Sequence, residues 1–326
     1  MRSEWLRALL VVGSLAACAL SAPLRTASTP KVAPGSSAAV APNVPVASAT
    51  AASRPQSAAP AASTPPARPC GELGCLAFET PAAAFDYVLA SEPRVLAVGE
   101  AHAQDDTPGI ASSTRRFAEQ LLPKLIGKAK HIVIELLLAN CKKQTVSEVQ
   151  KQQAPVTEHQ AKTNQNEFVT LGTVAKRLGI EPQGLTPACA EYEAVASAGE
   201  AGIEQLLTLV ANQTASEVEA LLAESAPSGS LIVTYGGALH NDLNPRPGQE
   251  AWSFGPRLAK ATQNRYVELD LIVPEFVKDT PAWRNLPWFS AFDRQHLSNE
   301  TLLLRPAPSS FVLIFPKTER APSDQR

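Results

Sequence analysis

Four short, almost wholly apolar runs constrain this chain most: Arg94-Val-Leu-Ala-Val-Gly99, His131-Ile-Val-Ile-Glu135, Leu231-Ile-Val-Thr-Tyr235 and Tyr266 to Val273. Each is too short for a buried helix and rich in Val, Ile or Leu, as a strand covered on both faces should be. Between them lie stretches with helical character. From Ser113 to Ile126 the apolar residues fall at Phe117, Leu121, Leu122 and Leu125, one stripe of a helix. Thr145 to Leu178 is polar and predicts two helices broken near Pro155; Ile180 to Leu185 predicts another strand. Ile203 to Val210 and Ala215 to Glu224 predict two further helices, and Leu302 to Phe315 a terminal hairpin turning at Pro306-Ala-Pro-Ser. This alternation predicts an α/β fold, a mainly parallel sheet with helices on both faces. Ligands of such sheets bind beyond the carboxyl ends of the strands.

The first part of the chain has a different character. Arg2 and Arg7 accompany an apolar stretch, Ala8 to Ala17, too short to span a bilayer. It ends in Leu15-Ala16-Ala17-Cys18, which resembles the lipobox of bacterial lipoproteins. The expectation is a signal peptide over 1–17 and acylation of Cys18. Each buried methylene of an acyl chain contributes about 0.8 kcal/mol, so two or more chains make a stable anchor. The protein is then exported and lipid-anchored to the cell envelope, at the outer membrane if the cell has one. From 18 to 69 the composition collapses to Ala, Pro, Ser, Thr and Val, which predicts a disordered, semi-extended tether. Residues 70–326, about 255 in all, suit a single domain.

No second apolar run is long enough to cross a membrane. Loss of Arg2, Glu4 and Arg7 with the signal peptide takes the formal charge from −2 to −3. That leaves no electrostatic footprint for nucleic acid. Four cysteines remain beyond Cys18: Cys70, Cys75, Cys141 and Cys189. In an oxidising compartment an even count favours disulfides. Cys70 and Cys75 flank a Gly-Glu-Leu-Gly loop and suit a small ring, leaving Cys141–Cys189 by elimination. The absence of a Cys-x-x-Cys pair disfavours the alternative, a metal site.

The chemistry concentrates at two strand ends. Gly99-Glu100-Ala101-His102 follows the first strand and Gly237-Ala238-Leu239-His240 the fourth. In both, a glycine can allow an unusual backbone turn that lifts the imidazole into the crevice. Glu135 ends the second strand and should point the same way. His102, His240, Glu100 and Glu135 are therefore the candidate catalytic residues. Asp105 (with Asp106), Arg115 and Arg116 stand close enough in sequence to support them. Glu268 and Asp270 should share a face of the fifth strand and reach the site or a partner arginine. Trp283 to Phe292 is an aromatic segment that could line a pocket. His131, His159 and His296 read as structural. There is no Gly-x-Ser-x-Gly elbow, phosphate loop, dinucleotide fingerprint or His-Glu-x-x-His helix, which disfavours the enzyme classes built on them.

Val95-Leu-Ala-Val-Gly-Glu-Ala-His102, then His131-Ile-Val-Ile-Glu135, then Gly237-Ala-Leu-His240 resemble a known superfamily. It joins the erythromycin esterases, the ChaN-like haem-binding lipoproteins and the TraB/TIKI proteins, and the likeness covers roughly residues 92–275. The Gly-Glu-x-His form is nearer the first two branches. By resemblance to the esterases, His102 is a general base on water, supported by Glu100, Glu135 and His240 without a metal. By resemblance to TIKI, Glu100, His102, Glu135 and His240 support a divalent metal (manganese, cobalt or zinc) in peptide hydrolysis. By resemblance to ChaN the fold binds haem, with His102 and His240 as the candidate residues. Ala103 departs from the aspartate common in ChaN-like proteins, so Asp105 would have to replace it. The expected function is a hydrolase acting on a small molecule or peptide, with a haem-binding lipoprotein as the alternative.

Overall fold

The structure is a computed structural model describing residues 16–17, 67–157, 159–225 and 229–319. Apart from Ala16–Ala17, which pair in parallel with Leu136–Leu137, the expected signal peptide, Cys18 and residues 19–66 of the tether lie outside the described residues.

Among the described residues between Arg68 and Ile314 there are nine strands: β1 Arg68–Pro69, β2 Leu76–Phe78, β3 Val95–Glu100, β4 Ala129–Leu137, β5 Glu181–Leu185, β6 Leu231–Gly237, β7 Tyr266–Ile272, β8 Thr301–Ala307 and β9 Ser310–Ile314. They join in one sheet in the order β5-β4-β6-β3-β7-β9-β8-β2-β1. Neighbours from β5 to β9 are parallel, and the β9–β8–β2–β1 end is antiparallel. The helices are α1 Pro81–Leu89, α2 Ser113–Arg116, α3 Lys143–Thr157, α4 Asn164–Arg177, α5 Cys189–Ser197, α6 Gly202–Glu224, α7 Gly255–Ala261 and α8 Pro281–Arg284.

Strand alternation sorts the core into layers. Leu96, Val98, Ile132, Ile134, Val233 and Tyr235 meet α1, the segment after α2, and α4 on one face. Val95, Ala97, Val133, Ile232 and Tyr266 meet α3, α5, α6 and α7 on the other. Each such Val, Leu or Ile contributes about 1.5–3 kcal/mol relative to exposure. A smaller cluster packs Trp283, Trp288 and Phe292 against Ile272, Val312 and Ile314.

Three sequence expectations change. The two helices expected over Thr145 to Leu178 form as α3 and α4, but the first runs on to Thr157 instead of breaking at Pro155, and the second begins at Asn164. The two helices expected over 203–224 are the single helix α6, because Asn212-Gln-Thr214 contains no glycine or proline to break it. Ser113 to Ile126 is helical but not uniformly so: α2 passes into a π-helical turn, Phe117–Leu121, and a 3₁₀ turn, Leu122–Leu125. Such π-helical turns often accompany functional sites. Cys70–Cys75 and Cys141–Cys189 are disulfide-bonded, so none of the four is available as a metal thiolate.

Candidate active site

β3 runs through Gly99 and ends on Glu100, with His102 two residues beyond it at the carboxyl edge of the sheet. His102 is 1% exposed and Glu100 2%. The Glu100 Oε1 lies 2.6 Å from Nδ1 of His102. Its Oε2 accepts from the Thr114 hydroxyl at 2.6 Å and from the Tyr235 phenol at 2.5 Å. A carboxylate only accepts, so Nδ1 carries the proton and Nε2 is the basic nitrogen. Burial, and then the Glu100 charge, hold the Tyr235 phenol well above its usual range, so it remains a donor. Phe117 and Phe168 pack on Tyr235, with ring centroids 4.8 and 5.8 Å away, and Phe168 lies 5.9 Å from the His102 ring.

A second pair stands beside the first. Regular pairing of β4 with β5 is interrupted between Ile134 and Leu137, the kind of local irregularity that re-aims a side chain. Glu135, in that interval, is buried, and its Oε2 accepts the Gly237 N–H at 2.8 Å. His240 bonds the Trp252 carbonyl through Nδ1 at 2.7 Å. The carbonyl fixes the proton on Nδ1 and turns Nε2 towards Glu135 Oε1, 3.7 Å away, too far for a hydrogen bond. Burial pushes the Glu135 carboxyl up, opposed by His240, the Gly237 N–H and His102, while Glu100 pushes it further up. The two carboxylate–imidazole pairs thus belong to one electrostatic unit.

Glu135 Oε1, His240 Nε2, Thr234 Oγ1 and Asn241 Oδ1 are all buried without a hydrogen-bond partner among the described residues. Their residues line one cavity of about 10 Å³, room for a single water, which needs two to four polar partners. The Asn241 amide group donates to the Ala97 carbonyl at 3.2 Å and to Asp270 Oδ1 at 3.0 Å, so its oxygen is aimed by the sheet.

The glycines act through space rather than through backbone freedom. None of Gly99, Gly236 and Gly237 has a positive φ, contrary to the expected unusual turn. A Cβ on Gly99 would lie 2.6 Å from the Ala238 Cα and 2.7 Å from Asn241 Nδ2. One on Gly236 would collide with the Glu135 carboxylate and lie 2.8 Å from its Cβ. Hydrogen at these two positions lets the 237–241 turn and Glu135 close on the sheet.

The supporting residues expected from the sequence do not join the site. Arg116 is buried, but its guanidinium bonds the Ala111 and Pro316 carbonyls and Thr318, over the Phe315 ring. Arg115 is exposed and paired with Glu119 at 2.9 Å. Asp105 and Asp106 are exposed, and Asp106 pairs with Lys278. His131 is buried near the start of β4, away from the strand's carboxyl end. The residues that sequence reasoning missed are Thr114, Thr234, Tyr235, Asn241 and the Trp252 carbonyl. A faint signal existed for two: Thr234 and Tyr235 interrupt an otherwise apolar strand.

The four-residue metal set is not formed. Among the described residues no three His, Cys, Asp or Glu side chains are grouped to hold a metal ion. Both Glu100 oxygens are engaged, and Nδ1 of each imidazole is held by its own acceptor. Both imidazoles are enclosed, and neither lines the cavity of about 320 Å³ at the carboxyl end of the neighbouring strands. Of the aromatic segment, Trp283, Trp288 and Phe292 are packed as core, with Trp288 also reaching that cavity.

Glu268 and Asp270 share a face, as expected; neither lines the water-sized cavity, though Asp270 accepts from Asn241, which does. The Leu243 N–H donates to Glu268 at 2.9 Å. Burial, then the charges of Asp270 and Asp242, hold Glu268 well above its usual range. Burial, partly offset by Asn241 and reinforced by Asp242, pushes Asp270 from 3.8 up to about 7. A raised folded pKa stabilises below the unfolded value, and that contribution is lost as pH rises through the folded one. Thermal unfolding should therefore show Asp270→Asn gaining on the wild type as pH rises from about 4 to about 7. A melting-temperature difference that stays constant over this window would contradict the assignment.

No family model, curated protein or solved structure matches this chain.

Proposed function

We propose that the protein is a hydrolase that activates water without a metal, of the ChaN/erythromycin-esterase-like kind, carried on an exported lipid-anchored chain. The observation that carries this reading is a set of four buried, unpartnered polar atoms on residues that line one water-sized cavity, two of them a carboxylate oxygen and an imidazole nitrogen.

In this reading one water lies between Glu135 and His240. His240 Nε2 takes its proton, and the Glu135 carboxylate stabilises the imidazolium that results. Thr234 and Asn241 orient the water. As hydroxide adds to a substrate carbonyl and the acyl–oxygen bond breaks, the His240 imidazolium returns the water proton to the departing alkoxide, and His102, unprotonated at Nε2, takes the proton that the acid product releases. Glu100, braced by Thr114 and Tyr235, keeps its imidazole in the required tautomer. The resemblance gave the base role to His102. Here His240 takes it, because His240 lines the water-sized cavity and His102 does not.

The test is turnover of an ester and lactone panel by the full chain after exhaustive chelation, with haem absorbance recorded in parallel. The reading predicts metal-independent hydrolysis. A protein that hydrolyses nothing, or acts only on metal addition, would overturn it.

A further inference from the structure

A cavity of about 320 Å³ opens over β7 and β9, the lower end of the size range of small-molecule sites. Asn244, Asn285 and Pro287 are exposed and form its rim. The strand register sets out its floor. Glu268 pairs with Ser310, Asp270 with Val312, and Ile272 with Ile314, so the floor runs from two carboxyl groups to apolar side chains. Asp242 adds a third carboxyl from the loop after β6, while Ile272, Val312, Leu286 and Trp288 make the apolar wall.

Glu268 is 6% exposed and is held by the Leu243 N–H and the Ser310 hydroxyl. Asp270 is held by Asn241. Arg246 also lines the cavity and its charge acts on Asp242, whereas no lysine, arginine or histidine among the described residues forms an ion pair with Glu268 or Asp270. Placing Glu268 and Asp270 here without a paired cation is costly, and a packing void would be lined by apolar atoms instead. The fixed carboxyl groups and the apolar wall beyond them match a ligand with a charged nitrogen and a hydrocarbon body.

We propose that this cavity binds a small organic ammonium ion, its nitrogen against Glu268, Asp270 and Asp242 and its apolar body against Ile272, Val312, Leu286 and Trp288. Because burial holds the Glu268 carboxyl well above its usual range and pushes Asp270 up to about 7, the arriving cation favours their ionised forms and expels protons. The inference does not need the hydrolytic reading, since a binding protein without catalysis would carry the same pocket.

The experiment is titration calorimetry of the full chain with benzylammonium, phenethylammonium and cyclohexylammonium at pH 7, in two buffers of different ionisation enthalpy. The neutral alcohols of the same shape are the controls. At least one amine should bind with net proton release, about tenfold or more tighter than its alcohol. Asp270→Asn and Asp242→Asn should each remove most of that preference, while His240→Ala leaves it intact. The second aspartate variant guards against misfolding, since Asp242 lies in a loop. The proposal is overturned if no amine binds up to about 10 mM, if the alcohols bind as well, or if both aspartate variants keep full preference. Loss of turnover with binding retained would count against the hydrolase alone.

Discussion

Glu135→Gln is expected to lower kcat/KM by about 10²–10⁴, the range of general-base catalysis, because His240 acts as base only with the carboxylate beside it, without loss of thermal stability. The argument is local. The amide oxygen of glutamine can keep the bond from the Gly237 N–H that Glu135 Oε2 accepts at 2.8 Å. Its NH₂ group then points where Oε1 now lies, 3.7 Å from His240 Nε2. An amide donor there cannot accept a hydrogen bond from the water between the two groups, and the carboxylate that would stabilise the imidazolium is gone. Stability should hold or rise, because a buried carboxyl whose charged form is disfavoured by burial is replaced by a neutral group of the same shape. Kinetics on the best ester or lactone, with thermal melts alongside, check both halves. Activity within threefold of wild type, or a collapse of the fold, would contradict the assignment.

Cys141→Ser combined with Cys189→Ser is expected to cost about 4 kcal/mol. The bond spans a separation of 48 residues, and closing a loop of that size removes conformational entropy from the unfolded chain on this scale. For a domain of this size, that lowers the melting temperature by roughly 10 °C. The bond ties the approach to α3 to the first residue of α5, two helices of the layer that holds α6. Cys70–Cys75 closes a separation of only 5, and its removal should cost about half as much. Reduction of the wild type gives the same comparison without substitutions. A double variant that melts within about 2 °C of wild type would show that the unfolded chain is already restrained there.

The strands were the legible part of the fold. Val95–Gly99, His131–Glu135 and Leu231–Tyr235 are buried on both faces, and that demand leaves its mark in consecutive residues. Helix limits were less legible: nothing local in 203–224 states whether Asn212-Gln-Thr214 is a link or a helical turn, and packing against the sheet decides. β1 and β2 were missed because they are too short to show a period. At the site, both imidazoles and both carboxylates could be placed from strand ends alone. Their partners could not, since Tyr235 reaches Glu100 from 135 positions away and Trp252 holds His240 by a carbonyl that any residue would offer. Arg115 and Arg116 misled for the complementary reason. Nearness in sequence placed them at the right edge, but the turn of α2 sends one to solvent and the other to the segment after β9.

The most direct measurement of the central claim is kcat/KM of the chelated full chain against His240→Ala and His102→Ala on one ester or lactone, with circular dichroism showing that each variant is folded. The account predicts that the wild type turns over and that each variant loses about a hundredfold or more. A folded His240→Ala protein with wild-type activity would contradict it.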